Sequence, residues 1–251
     1  MIELLFPTHF TIKYPTRNFK YYSTPNKKKE IRKLLLEASS NYCMYCGNLI
    51  IINNKNYSHI EHSIEKKNEK KDNNAKYLTH CKYNLSIACS VCNTSFKKVA
   101  IKEVKINESY ICPKTCNNIC SEYQNNIDDY IRKNKIILMP QGIKNLNAYY
   151  YKIVYDVLNM TFKYQKNINY SKIDIDFIEN HIKRFKLNDN EYKPSDVIKV
   201  CEYVIENQKI PKKKSFYNII ADLFIEYLNT EKITTSNITK LYDAIIIQNS
   251  L

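Results

Sequence analysis

A chain of 251 residues with a formal charge of +14, nine cysteines, two glycines and no tryptophan is long enough to bury a core without disulfide staples. None of its apolar runs approaches the roughly 20 residues that a membrane-spanning helix requires, and the opening MIELLFPTHF lacks the basic start of a secretory leader. The cysteines are therefore expected to stay reduced, in the cytoplasm. The positive charge suits a polyanionic partner, because Lys and Arg at phosphates supply most nucleic-acid affinity. Lys, Asn, Ile and Tyr are abundant along the whole chain, however, so the charge is not confined to one patch.

Residues 1–40 read as an N-terminal extension and lead-in helix. Thr24-Pro25 opens that helix, with proline in its first turn and Ile31, Leu34 and Leu35 on one face. It delivers the chain to CMYCG, which holds Cys43 and Cys46. Residues 47–62 read as a β-hairpin: an apolar LIII run, a polar NNKN turn, then YSHIEH. In a regular strand His59 and Glu61 point one way and His62 the other. A lysine-rich, loop-like stretch, EKKNEKKDNNAK, leads to YNLSIACSVCNTSFKK, which holds Cys89 and Cys92. Each CxxC pair makes a knuckle with two converging thiolates, and two knuckles complete the tetrahedral shell of a structural Zn2+. The competing reading is four unrelated buried thiols. NTSFKKVA after Cys92 is expected to begin a helix with its N-terminus toward a phosphate and Lys97 and Lys98 as backbone clamps.

Residues 106–144 form a connector in which CPKTCNNIC places Cys112, Cys116 and Cys120 at helical spacing. They could build a second zinc site with His80 or Cys81, or simply line an apolar helical face. From 145 to 251 the periodicity predicts helices: Leu146, Tyr150, Ile153, Val154 and Val157; Ile175, Ile178, Ile182 and Phe185; a helix capped by Ser195 with Ile198, Cys201 and Ile205 inward; Phe216, Ile220, Leu223 and Tyr227; and Ile238, Leu241 and Ile245. No catalytic motif stands in this half.

Residues 41–105 carry a further pattern: Glu61-His62, then Asn84 before Leu85, then Asn93 directly after Cys92, framed by the two CxxC units. This order resembles the HNH endonucleases of the ββα-metal type. The resemblance implies an α+β fold, a zinc-stabilised nuclease core followed by a mainly α-helical C-terminal region. It implies His62 as the base that activates water, Asn84 as the residue that positions it, and Glu61 and Asn93 as oxygen ligands of a catalytic Mg2+ or Mn2+. His59 could touch metal or phosphate if the strand stays regular. A longer string, with KIILMP at 135–140, is similar to the HNH subunit of Septu-type or retron-associated antiphage systems, which implies DNA as target, with RNA not excluded, and an operon-encoded ATPase as partner. The alternatives are a non-catalytic zinc-stabilised nucleic-acid-binding module and a scaffold subunit of a larger complex.

Overall fold

The computed structural model describes residues 2–14, 22–63, 79, 81–97, 149–192 and 194–250. His80, Lys98, Cys112, Cys116, Cys120, the EKKNEKKDNNAK stretch and KIILMP lie outside them. The described chain is a mixed α/β structure with small sheets, five α-helices and a helical C-terminal region. Among the described residues no helix is long and apolar enough to cross a membrane.

Strands β1 (Glu3–Phe6), β6 (Ile153–Asp156) and β7 (Thr161–Tyr164) form an antiparallel sheet in the order β1-β6-β7. The register pairs Leu4 with Tyr155 and Tyr155 with Phe162. A helix was expected over Ile153–Val157, and the structure corrects it to a strand. All four residues of β6 are buried, and a central strand covered on both faces shows no alternation of apolar and polar residues, so Ile153, Val154 and Val157 satisfy helical spacing as readily as strand spacing. The extension thus belongs to the same sheet as the C-terminal half. Asp156, at the buried end of β6, takes Lys163 Nζ at 2.8 Å and Asn159 Nδ2 at 3.0 Å. The Lys163 hydrogen bond is the strongest of the pulls that hold its carboxyl below the usual range against the cost of burial.

Helix α1 (Pro25–Ala38) starts as expected, with Pro25 in the first turn and the Thr24 hydroxyl accepting from Lys27 N at 3.3 Å, and it buries Ile31, Leu35 and Leu36. Helix α2 (Lys172–Arg184) is opened by a reciprocal Ser171/Asp174 capping box and buries Phe177, Ile178, His181 and Ile182. Helix α3 (Asp196–Asn207) follows Ser195, but Ser195 makes no side-chain cap bond, and the buried stripe is Val197, Val200, Cys201 and Val204, one step from the expected face. Helix α4 (Ile219–Glu231) begins at Asn218, whose side-chain oxygen accepts from Ile220 N, and α5 (Thr235–Ser250) buries Ile238 and Ile245. Helix α3 packs on both α4 and α5, α2 lies on β7, and α4 lies on β1.

The expected hairpin is present in part. Strands β2 (Ile51–Ile52) and β3 (Lys55–Asn56) pair around Asn53 and Asn54, which both take left-handed φ, 49° and 61°. That conformation suits a tight primed turn, which asparagine tolerates. YSHIEH returns to LIII only at Tyr57, whose N donates to Ile50 O at 2.9 Å. Its strand β4 (His59–His62) pairs instead with β5 (Leu85–Ala88), antiparallel, with Glu61 opposite Ser86 and His62 opposite Leu85. Helix α1 packs on β5.

Candidate metal centre and the buried acid beside it

The first knuckle is a tight turn: Gly47 N donates to Cys43 O at 2.9 Å, Cys43 N to Asn48 O at 2.7 Å, and Met44 N to Ile87 O on β5 at 3.0 Å. The second is built on the end of β5, where Cys92 N donates to Cys89 Sγ at 3.5 Å and Asn93 N to Cys89 O at 3.1 Å. The Met44–Ile87 bond therefore carries the CMYC turn to the strand that ends in CSVC. The four Sγ atoms of Cys43, Cys46, Cys89 and Cys92 lie within 4.8 Å of one another, and Cys46 and Cys89 are 3.8 Å apart. A tetrahedron of thiolates with metal bonds of about 2.3 Å has edges of roughly 3.8 Å, so this donor set fits Zn2+. Among the described residues it is the one cluster of His, Cys, Asp or Glu placed to hold a metal ion such as zinc. Contacts from Cys43, then Cys46 and Cys92, pull Cys89 far below the ordinary thiol range, whereas Cys46 and Cys92 are pushed up, first by Cys43. Four sulfurs this close ionise together only beside a cation.

Gly47 closes the knuckle at φ 74°, and a Cβ there would stand 2.6 Å from Ile219 Cγ2 and 2.9 Å from Phe6 Cε2. Gly47→Ala therefore meets left-handed strain and overpacking together. It is expected to lower stability by about 2–4 kcal/mol, checked by the denaturant midpoint. The contact partners show how the C-terminal half reaches the metal centre. Asn218 Nδ2 donates to Cys46 O at 3.1 Å and to Asn48 Oδ1 at 2.7 Å, Ile219 N donates to Gly47 O at 2.8 Å, and Tyr42 OH donates to Asp222 Oδ2 at 2.7 Å. Helix α4 thus stands with its first turn on the CMYCG knuckle.

Glu61 is 2% exposed. Its Oε2 accepts from Ser86 Oγ at 2.8 Å and from the Tyr45 hydroxyl, while Oε1 forms an ion pair with Lys97 Nζ. Lys97 is itself 4% exposed and also donates to the main-chain oxygen of His62. A buried carboxylate is tolerable only with donors around it, and this one has two hydroxyls and an ammonium. Tyr45 stacks on Phe185 of α2, ring centroids 4.7 Å apart, and Arg184 Nη2 donates to Lys97 O at 3.0 Å. Burial, and then the Arg184 guanidinium, hold Lys97 well below the ordinary lysine range. The Lys97 side chain, expected at a phosphate, points into the protein.

The other motif residues separate around this acid. His62 is 3% exposed, with Nε2 3.0 Å from Thr79 O and its ring edge-on to Tyr22 at 4.7 Å. Asn84 is fully buried in a short 3-10 turn (Lys82–Asn84), and its carbonyl accepts from Ser63 N at 3.0 Å, which ties it to the residue after His62. Asn93 is half-buried in a single π-helical turn (Cys92–Phe96) that ends before Lys97, where a longer helix was expected. His59 is exposed at the outer end of β4. Tyr45, Ser86 and Arg184 were not singled out as site residues. Tyr45 sits inside the first CxxC and Arg184 is remote in sequence; only the strand register, which puts Ser86 opposite Glu61, could have pointed to the serine.

For a divalent ion at Glu61 and Asn93 the donor set does not fit as it stands, because the carboxylate's charge is already matched by Lys97 and both its oxygens are engaged. No protein-family model matches this chain, and no curated protein or solved structure does.

Proposed function

We propose that the chain is an HNH-type endonuclease that hydrolyses phosphodiester bonds in DNA, held together by one structural Zn2+. The observation that supports this most is the antiparallel pairing of β4 with β5, followed by the helical turn Cys92–Phe96, with the Ser63–Asn84 bond bringing His62 and Asn84 to one end of the strand pair. The Thr79 carbonyl can only accept, so Nε2 of His62 donates to it. In this reading the His62 imidazole takes the proton from the attacking water, and Asn84 keeps the end of β4 in place. A Mg2+ or Mn2+ ion at Glu61 is not carried into the proposal, since Lys97 holds that carboxylate. A role in antiphage defence beside an ATPase rests on the sequence resemblance. The apolar faces of α2, α3 and α4 are turned into the chain's own core, so a partner would meet their polar sides.

Plasmid nicking tests the reading. His62→Ala is expected to lose cleavage on the order of a hundredfold or more while DNA binding persists, and His59→Ala to stay near wild type. Loss of cleavage in His59→Ala with activity kept in His62→Ala would place the chemistry on the opposite face of β4. The closed pairing of Glu61 favours a second reading, a zinc-stabilised nucleic-acid-binding module without catalysis. It predicts DNA binding by the wild-type chain and no nicking under any metal condition.

A further inference from the structure

The Glu61 carboxylate has a cation of its own. Oε2 is taken by the hydroxyls of Tyr45 and Ser86, and among the described residues Oε1 accepts no hydrogen bond, its one neighbour of opposite charge being the Lys97 ammonium. Lys97 in turn is anchored at both ends. Its Nζ donates to His62 O, and its carbonyl accepts from Arg184 of α2. The pair is 4% and 1% exposed at the side chains, so neither charge is screened by water.

We infer that Lys97 and a divalent metal ion exclude each other at Glu61: the ammonium fills the position an ion would need, and Mn2+ or Mg2+ reaches this carboxylate only when the Lys97 side chain has left it. The reason is coordination as well as charge. A hard divalent ion asks for six oxygen ligands and keeps several waters, and a carboxylate that is 2% exposed, with two hydroxyls on Oε2 and the Lys97 ammonium at Oε1, leaves no room for them. Lys97 is a plausible occupant to displace, since burial and Arg184 both disfavour its charge. Because the ammonium also holds the His62 carbonyl, the same displacement would release the end of β4. The inference does not depend on nuclease activity.

The test titrates Mn2+ into the zinc-loaded full chain and follows free Mn2+ by electron paramagnetic resonance. Wild type and Glu61→Gln should take up Mn2+ equally. Lys97→Met should gain one Mn2+ site per chain, and the Glu61→Gln/Lys97→Met double variant should lose it again. Thermal unfolding adds a readout that needs no metal: each single variant should melt several degrees lower, and the double should melt higher than the sum of the two losses implies. Wild-type Mn2+ uptake that Glu61→Gln abolishes and Lys97→Met leaves unchanged would overturn the inference, as would a folded Lys97→Met chain that gains no site. If Lys97→Met fails to fold, the comparison of wild type with Glu61→Gln decides: equal uptake supports the exclusion and loss of uptake refutes it. A failure of DNA cleavage would leave these results untouched.

Discussion

Cys46→Ser is expected to cost the protein both its metal and its fold. The purified chain should carry about one zinc bound by the four thiolates, and the serine variant should carry far less by elemental analysis. Zinc contributes on the order of 10 kcal/mol to small folded thiolate sites, a large share of what holds any domain together. The loss spreads here because the knuckle is a junction. Cys43, Met44, Tyr45 and Cys46 are all buried, Met44 N is bonded to β5, and Cys46 O receives Asn218 from the start of α4. Chelation of the wild-type chain should therefore lower the melting temperature and loosen the C-terminal helices together with the knuckle. An intact chain with no bound metal and an unchanged melting point would refute the zinc assignment.

The second large effect is a loss of stability in acid centred on His181. This side chain is 2% exposed on α2, with its ring centroid 4.7 Å from Phe185 and 6.2 Å from Tyr45. Burial, and next the nearby Arg184 guanidinium, push it from 6.5 down to about 3, against a weaker opposing hydrogen bond with the Tyr45 backbone. The folded protein therefore keeps His181 neutral where the unfolded chain already binds a proton. Above about pH 6.5 the residue costs nothing. As pH falls from there toward 3 the unfolded state gains by up to about 1.4 kcal/mol per pH unit, on the order of 4 kcal/mol in all. His181→Gln, which cannot titrate, should flatten this acid limb in urea titrations run between pH 7 and 4. Parallel limbs for wild type and variant would show that His181 charges as easily in the folded state as out of it.

The two CxxC units were legible from the sequence, and the structure brings their four sulfurs to one point. The chemistry of the pattern is local: each knuckle is a short turn whose thiols converge because of their spacing, whatever lies around them. The start of α1 at Thr24-Pro25 and the apolar stripe of α2 were legible for the same reason, since caps and periodicity act within a few residues. The residues of the nuclease-like pattern could be named, but their surroundings could not.

What the tertiary structure alone decided involves partners distant in the chain. Ile153, Val154 and Tyr155 suit a strand by their branched and aromatic side chains, but only the fold puts Leu5 and Lys163 on either side of Val154. Glu61 has Lys97 as its counter-ion because β5 and the Cys92–Phe96 turn carry the lysine back over β4, and α2 then locks it through Arg184. Sequence spacing sets which side chains leave the backbone on one face. Which charge meets which in the interior depends on how the elements pack, and burial makes that choice energetically decisive, because an unpaired charge there costs several kcal/mol.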